Sequence, residues 1–361
     1  MIFLRRAMEI SYTVKMADSG RPVYQILMER LHFSRLLIKR VKLHGRMEID
    51  GKPELMKTTA QSGQKIAVFY TDPAGEVNRP IEAQPDIPIL FQDEWFIICN
   101  KPANLVTHPT YLHHANNLTA RLCSDLLHPV NRLDRDTSGL VILAKNGYAH
   151  HALTTVSIAK RYLALVHGTH VPDAGEINLP IARSPGSIIL REINASGQTA
   201  ISRFICLKRW PAAQVSLLEY TPVTGRTHQL RLHSLMSGWP IVGETLYGCN
   251  RFYPGWPRLR PLFARADAKL KDEAYEGEFL VPREKIGDLA ELCPAYFDRD
   301  LCLRWDESMP RQALHAYKLE FVHPLTGEKI AVETALPDDM SHTVDLLNNF
   351  TDCHSCPNTI S

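Results

Sequence analysis

Two aspartates and two arginines occupy the five positions Arg132 to Asp136, inside the stretch "HPVNRLDRDTSGLVILAKN". One chemistry for so many acids is cation binding. Asp134, Asp136, Ser138 and Gly139 fall at positions 1, 3, 5 and 6 of a calcium loop, but the twelfth position, which needs a bidentate glutamate, is Lys145. Calcium is therefore excluded. A plainer role is an Asp-turn, with Asp134 capping backbone amides and pairing with Arg132 or Arg135. Taken alone, the loop reads as structural. Other polar groups sit in "AKRYLALVHG", which holds Tyr162, and in "TPVTGRTHQLRLHSLMSGWPIVG". There Arg226 stands at a helix entrance, where backbone amides favour anions, while His228 and Arg231 read as ordinary surface residues.

The elements around these residues can be read as well. "LVILA", Leu140 to Ala144, is an apolar run bounded by Gly139 and Lys145, so a buried strand follows the charged loop. Alternation puts Tyr162, Ala164 and Val166 on one strand face, and core packing is the default role of Tyr162. Gly225 breaks the chain, Thr227 is placed to cap a helix, and Gly238 and Pro240 end it. "QALHAYKLEFVHPLTGEKI" reads as a late strand with "PLTGE" as its hairpin turn.

With 361 residues, 45% hydrophobic and 22% charged, the chain suits two globular domains. A net charge of +2 neither requires nor excludes a polyanionic partner, so local clustering decides. No run approaches the ~20 apolar residues of a membrane span. The opening "MIFLRRAMEISYTVKM" has too few apolar residues for a signal sequence, and a cytoplasmic protein is expected. Eight dispersed cysteines suit reduced thiols. Only the "CHSC" of Cys353 and Cys356 has ligand spacing. It lacks a second pair, so no metal site is expected.

Residues 9–72 form a small basic unit, 73–88 a polar linker, 89–350 a strand-rich domain with a long segment at 251–309, and 351–361 a tail. In the first unit Ser34 is placed to cap a helix, with Leu36, Leu37, Val41 and Leu43 as its apolar side. Arg35, Lys39, Arg40, Lys42 and Arg46 crowd that stretch without an intervening acid, and Asp50-Gly51 suggests a tight hairpin. Such a surface suits phosphates. A solvated helix face fits the same charges equally well.

This unit resembles the S4-like RNA-binding domain, through Ser34-Arg35 at the opening of a basic helix and "MEIDGKPE" after it. The larger domain resembles the RluA-type pseudouridine synthases, including their RluD-like members. "NKPANLVTHP", "NRLDRDTSGLVILAKN", "AKRYLALVHG", "TGRTHQLRLH", "PIVGETLYG" and "LHAYKLEFVHPLTGE" follow the family's order over about residues 89–250 and 311–346. Asn131 stands for the usual His and Asn104 for the usual Gly. The resemblance implies an α+β protein in which an S4-like domain precedes a catalytic domain with a mixed, mainly antiparallel sheet. It implies isomerisation of uridine in RNA, large-subunit ribosomal RNA first and transfer RNA as the alternative. Asp134 would be the nucleophile, Arg226 its ion-pair partner and Tyr162 the ring against the base. Arg132 would fill the gap left by the flipped nucleotide, with Arg231 and His228 binding substrate. The rearrangement needs no cofactor, RNA is the expected partner, and a monomer is the default. A catalytically inactive RNA binder and a base-excising glycosylase are the competing readings.

Overall fold

The computed structural model describes residues 8–70, 84–108, 116–123, 127–185, 187, 189–247 and 298–350. Residues 8–70 build a four-stranded antiparallel sheet in the order Met8–Thr13, Lys65–Tyr70, Arg46–Ile49, Lys52–Pro53. Asp50 and Gly51 have φ of 50° and 76°, the two left-handed positions that a two-residue hairpin of this twist requires. Helices Val23–Arg30 and Arg35–His44 cover the sheet. Ser34 caps the second helix as expected, its Oγ accepting from Leu37 N at 3.0 Å. The apolar stripe differs from the expected one. Leu37, Ile38 and Val41 are buried, whereas Leu36 and Leu43 are 57% and 66% exposed. Those two leucines, seven residues apart, share the opposite face of the helix. The small core also takes Tyr148 from helix Gly147–Thr155, whose ring lies 5.2 Å from Phe33 and 5.6 Å from Trp95.

The larger sheet has ten strands. Its main path runs Ala174–Asn178, Ile201–Trp210, Val215–Pro222, Ala159–His167, Leu314–Val322, Ser138–Ala144, Phe96–Lys101, Ile89–Gln92. It is mixed and mainly antiparallel. Among the described residues its one parallel pairing joins Ser138–Ala144 to Leu314–Val322. Every residue of Ser138–Ala144 is buried, as the apolar run predicts. At the parallel junction Gly139 has φ 118°, and a Cβ there would meet Ala316 O at 2.2 Å. Only glycine fits, and this fixes where the charged loop Arg132–Thr137 enters the sheet.

The helix after Gly225 starts later than expected and is capped differently. It spans Gln229–Met236 behind His228, whose φ is 58°. His228 stands at the N-cap without a side-chain capping bond, so Thr227 is not the cap; Gln229 Oε1 instead braces the turn before the helix, accepting from Arg226 N at 2.9 Å and Thr224 Oγ1 at 2.8 Å. Gly238, φ 84°, ends the helix as expected. Residues 73–83 of the expected linker, residues 251–297 of the long segment and the tail with Cys353 and Cys356 lie outside the described residues. Helix Arg299–Ser308 closes that long segment. Among the described residues no helix is long and apolar enough to cross a membrane.

Candidate active site

The charged loop opens into a cleft of about 490 Å³. Among the described residues that line it, Asp134 is the sole carboxylate, facing five cations: Arg132, Arg135, Lys160, Arg226 and Arg231. Asp134 Oδ2 accepts from Arg231 Nη1 at 3.0 Å, with His228 Nε2 at 3.9 Å. Arg231 is held from behind by Glu244. Its Nε and Nη2 each donate at 2.6 Å to the two oxygens of that carboxylate, a bidentate pair that fixes the guanidinium plane. Glu244 is 1% exposed, Arg231 5% and Asp134 25%, so the chain of charges runs from the core to the cleft surface. Burial opposes the charge on Arg231, but the bonds from Glu244 and the field of Asp134 outweigh it and raise its pKa. It stays cationic throughout the working range.

Backbone clamps hold the loop. Lys101 Nζ, fully buried, donates to the carbonyls of Pro102, Leu105 and Arg135 at 2.8, 2.8 and 3.0 Å. Burial pulls the Lys101 pKa down to about 7, with Asp136 partly opposing, while three carbonyl acceptors use all three hydrogens of an ammonium. Arg311 donates to Asp136 O at 3.0 Å and pairs with Asp339. Thr107 Oγ1 bonds Leu133 in both directions, at 3.0 and 3.2 Å. Asn131 bridges the loop to the strand, donating to Leu140 O at 3.1 Å and accepting from Ile142 N at 2.8 Å. Asn104 has φ 58°, a left-handed position that asparagine tolerates and glycine fills freely.

The structure brings Asp134, Tyr162, His228 and Arg231 together and corrects the assignment of Arg226. That side chain lines the cleft, but its Nε donates to Thr199 O at 3.0 Å, and the partner of Asp134 is Arg231. The cause is local: the left-handed turn at His228 and the bond from Arg226 N to Gln229 Oε1 leave the side chain of residue 226 exposed. His228 and Arg231, three apart, then share the helix face toward the loop. His228 Nδ1 also bonds Tyr247 OH at 2.9 Å, and burial lowers its pKa against the pull of Asp134. Arg135 is bonded to Asp136, leaving neither for Asp134. Tyr162 is 9% exposed, on the strand wall of the cleft. Burial first, and the charge of Asp134 second, push its hydroxyl pKa above the usual range.

Several residues went unread in the sequence: Glu244, Lys101, Lys160, Arg311 and Tyr247. Lys160 was legible in part, because it lies two residues from Tyr162 and so shares its strand face. In the small unit Arg35, Lys39 and Lys42 are exposed and Arg40 is half-buried. Arg46 instead pairs with Glu48 at 2.7 Å and lies 4.2 Å over the Phe69 ring. Among the described residues no group of three His, Cys, Asp or Glu gathers to hold a metal ion.

Residues 95–235 match the RNA pseudouridylate synthase family, and over most of its length the chain is similar to proteins named RNA pseudouridine synthases, which are isomerases. Several of these relatives are named ribosomal large subunit pseudouridine synthase D. The chain is 29% identical over 318 residues to ribosomal large subunit pseudouridine synthase D of Nitrosomonas europaea, covering 84% of this chain and 77% of that one. It is 28% identical over 330 residues to the uncharacterized RNA pseudouridine synthase YjbO of Bacillus subtilis, covering 87% and 95%. Among solved structures, human RNA pseudouridylate synthase domain containing 4 aligns at 20% identity and a TM-score of 0.47, covering 72% of this chain and 92% of that one.

Proposed function

We propose that this protein isomerises specific uridines of large-subunit ribosomal RNA to pseudouridine, with Asp134 as nucleophile. The observation that carries the proposal is Asp134 itself, the one cleft carboxylate among the described residues, held at 3.0 Å by a guanidinium whose other edge is locked to a buried glutamate. The ribosomal target rests on the relatives named ribosomal large subunit pseudouridine synthase D, which match 84–98% of this chain.

In the reaction the bond from C1′ to N1 of uracil breaks, the base turns, and C1′ joins C5. One proton leaves C5 and one is gained at N1, so atoms and electrons balance without a cofactor. Attack at C1′ or at the base ring calls equally for an ionised carboxylate, which a fixed neighbouring cation favours. Of the five cleft cations, Lys160 and Arg226 are in no ion pair among the described residues and suit the phosphates of the everted nucleotide. Flipping costs a few kcal/mol, offset by stacking in the pocket and by filling the vacated space. Arg132, exposed at the rim, is the residue proposed to fill it. Tyr162 meets the base as a neutral phenol, a stacking surface with a hydroxyl to donate. Arg226 and His228 bound the substrate pocket. A glycosidase ordinarily uses a second carboxylate as acid. Here Glu244 spends both oxygens on Arg231, and Asp136 is paired with Arg135.

The small unit is proposed to be an S4-like domain that grips RNA through Arg35, Lys39, Arg40 and Lys42, with Arg46 contributing less because Glu48 already neutralises it. The protein is proposed to act as a monomer in the cytoplasm. Mapping pseudouridines in cells lacking it tests the target. Loss of specific sites in large-subunit ribosomal RNA is expected; loss confined to transfer RNA would overturn that assignment. With RNA tritiated at uridine C5, isomerisation releases tritium and leaves the chain intact. Free uracil would indicate a glycosylase, and no release a binder.

A further inference from the structure

Helix Arg299–Ser308 lies outside every motif that identifies the family, yet one of its carboxylates reaches toward the site. Asp306 is 6% exposed, and its Oδ1 accepts from His167 Nε2 at 2.8 Å and from Gly243 N at 2.7 Å. Gly243 directly precedes Glu244, the residue that locks Arg231. The segment leading to it is strapped along the end of strand Ala159–His167: His167 N donates to Pro240 O and Val242 N to Leu165 O, both at 2.9 Å. On its other side Ala313 N donates to Val242 O at 2.8 Å. Gly243 has φ 71°, and a Cβ on it would meet Arg311 O at 2.2 Å and Met309 O at 2.6 Å, so only glycine lets the backbone pass this close. Glu244 then spans to Leu246 N at 2.8 Å and to Arg231.

We propose that His167 and Asp306 form a buried positioning pair that fixes the Gly243–Glu244 backbone and, through Glu244 and Arg231, aims the carboxylate of Asp134. The inference rests on the reading of Asp134 as nucleophile. It adds that a helix outside the family's motifs sets the geometry of the site. Neither residue lines the cleft, so both act through others and neither is a catalytic residue. Imidazole and carboxylate are each 1% exposed, and their bond is charge-assisted whenever the imidazole is protonated, which suits a rigid brace.

Asp306→Asn keeps an oxygen for the Gly243 amide and removes the charge facing His167; His167→Gln removes the imidazole and serves where the first variant does not fold. Each is expected to lower kcat for tritium release about 10- to 100-fold, leaving KM within about twofold because no cleft-lining side chain is touched. In a Glu244→Gln background, adding Asp306→Asn is expected to cost less than about twofold more, as for residues acting through one contact. A readout independent of turnover is solvent exchange of the Arg231 Nε proton, followed by NMR in the full-length protein. It is expected to quicken at least about tenfold in either variant once the Glu244 clamp loosens. Wild-type kcat with unchanged Arg231 proton exchange, or full additivity with Glu244→Gln, would overturn the proposal. Should the wild type release no tritium from any RNA, the nucleophile reading fails, and the proton exchange still decides whether the pair holds Arg231.

Discussion

Replacing Arg231 by Met separates the structure's assignment of the Asp134 partner from the one suggested by sequence. The substitution removes a charged hydrogen bond of 3.0 Å to a carboxylate that is 25% exposed. Hydrogen bonds to charged groups contribute about 1.5–3 kcal/mol. At 1.36 kcal/mol per decade of rate, this corresponds to a fall in kcat of about 10- to 150-fold. The same change leaves Glu244 buried without its cation, which costs about 3–5 kcal/mol of stability. The double variant Arg231→Met/Glu244→Met removes that stranded charge. It should recover most of the melting temperature and none of the rate, separating a folding defect from a catalytic one. Arg226→Met, whose guanidinium rests on Thr199 O, should raise KM and change kcat by less than about threefold. Single-turnover tritium release, with thermal melts alongside, reads all three variants. If Arg231→Met keeps wild-type kcat while Arg226→Met abolishes it, the ion-pair assignment is wrong.

Three further outcomes follow from particular residues. Lys160 lines the cleft with burial lowering its pKa and no carboxylate partner among the described residues, so Lys160→Gln should raise KM about tenfold with little change in kcat; unchanged KM in RNA titrations would remove it from substrate contact. Replacing Lys39 and Arg40 by Gln should weaken RNA binding and lower the slope of log K against log salt by about one to two; an unchanged slope would return that helix to a solvated face. For His167, burial disfavours the charged form, yet the bonds from Asp306 and Cys302 outweigh it and push its pKa up to about 10, above its ordinary 6.5. The stability this pair contributes is therefore complete below about pH 6.5 and lost as pH rises through about 10. The difference in melting temperature between wild type and His167→Gln should be largest near pH 6 and shrink toward pH 10, and a flat difference would contradict the protonated pair.

How much of this was legible in the sequence differs from residue to residue. Strands and turns with local signals read well: the apolar run into Ser138–Ala144, the Asp50-Gly51 hairpin, the Ser34 cap and the Gly238 stop each depend on neighbours a few positions away. Asp134 was legible through its motif. Its partner was not, because Arg226 and Arg231 are both cations near a helix start, and a left-handed residue at His228 decides which one turns inward. The spacing of His228 and Arg231 held a usable clue, since residues three apart share a helix face. Glu244, Lys101 and Asp306 carried no clue of that kind. Each acts on a group far along the chain, Glu244 on Arg231, Lys101 on the Arg135 carbonyl and Asp306 on His167. Tertiary packing creates those meetings, and periodicity cannot announce them. Leu36 and Leu43 show the converse, apolar residues at plausible helical spacing that packing leaves outside.

The most direct measurement is single-turnover tritium release from RNA labelled at uridine C5, wild type against Asp134→Asn. The amide is nearly isosteric and keeps an oxygen for the Arg231 bond, so folding and RNA binding should persist while release falls below detection. Release by Asp134→Asn at the wild-type rate would contradict the assignment of this carboxylate as nucleophile.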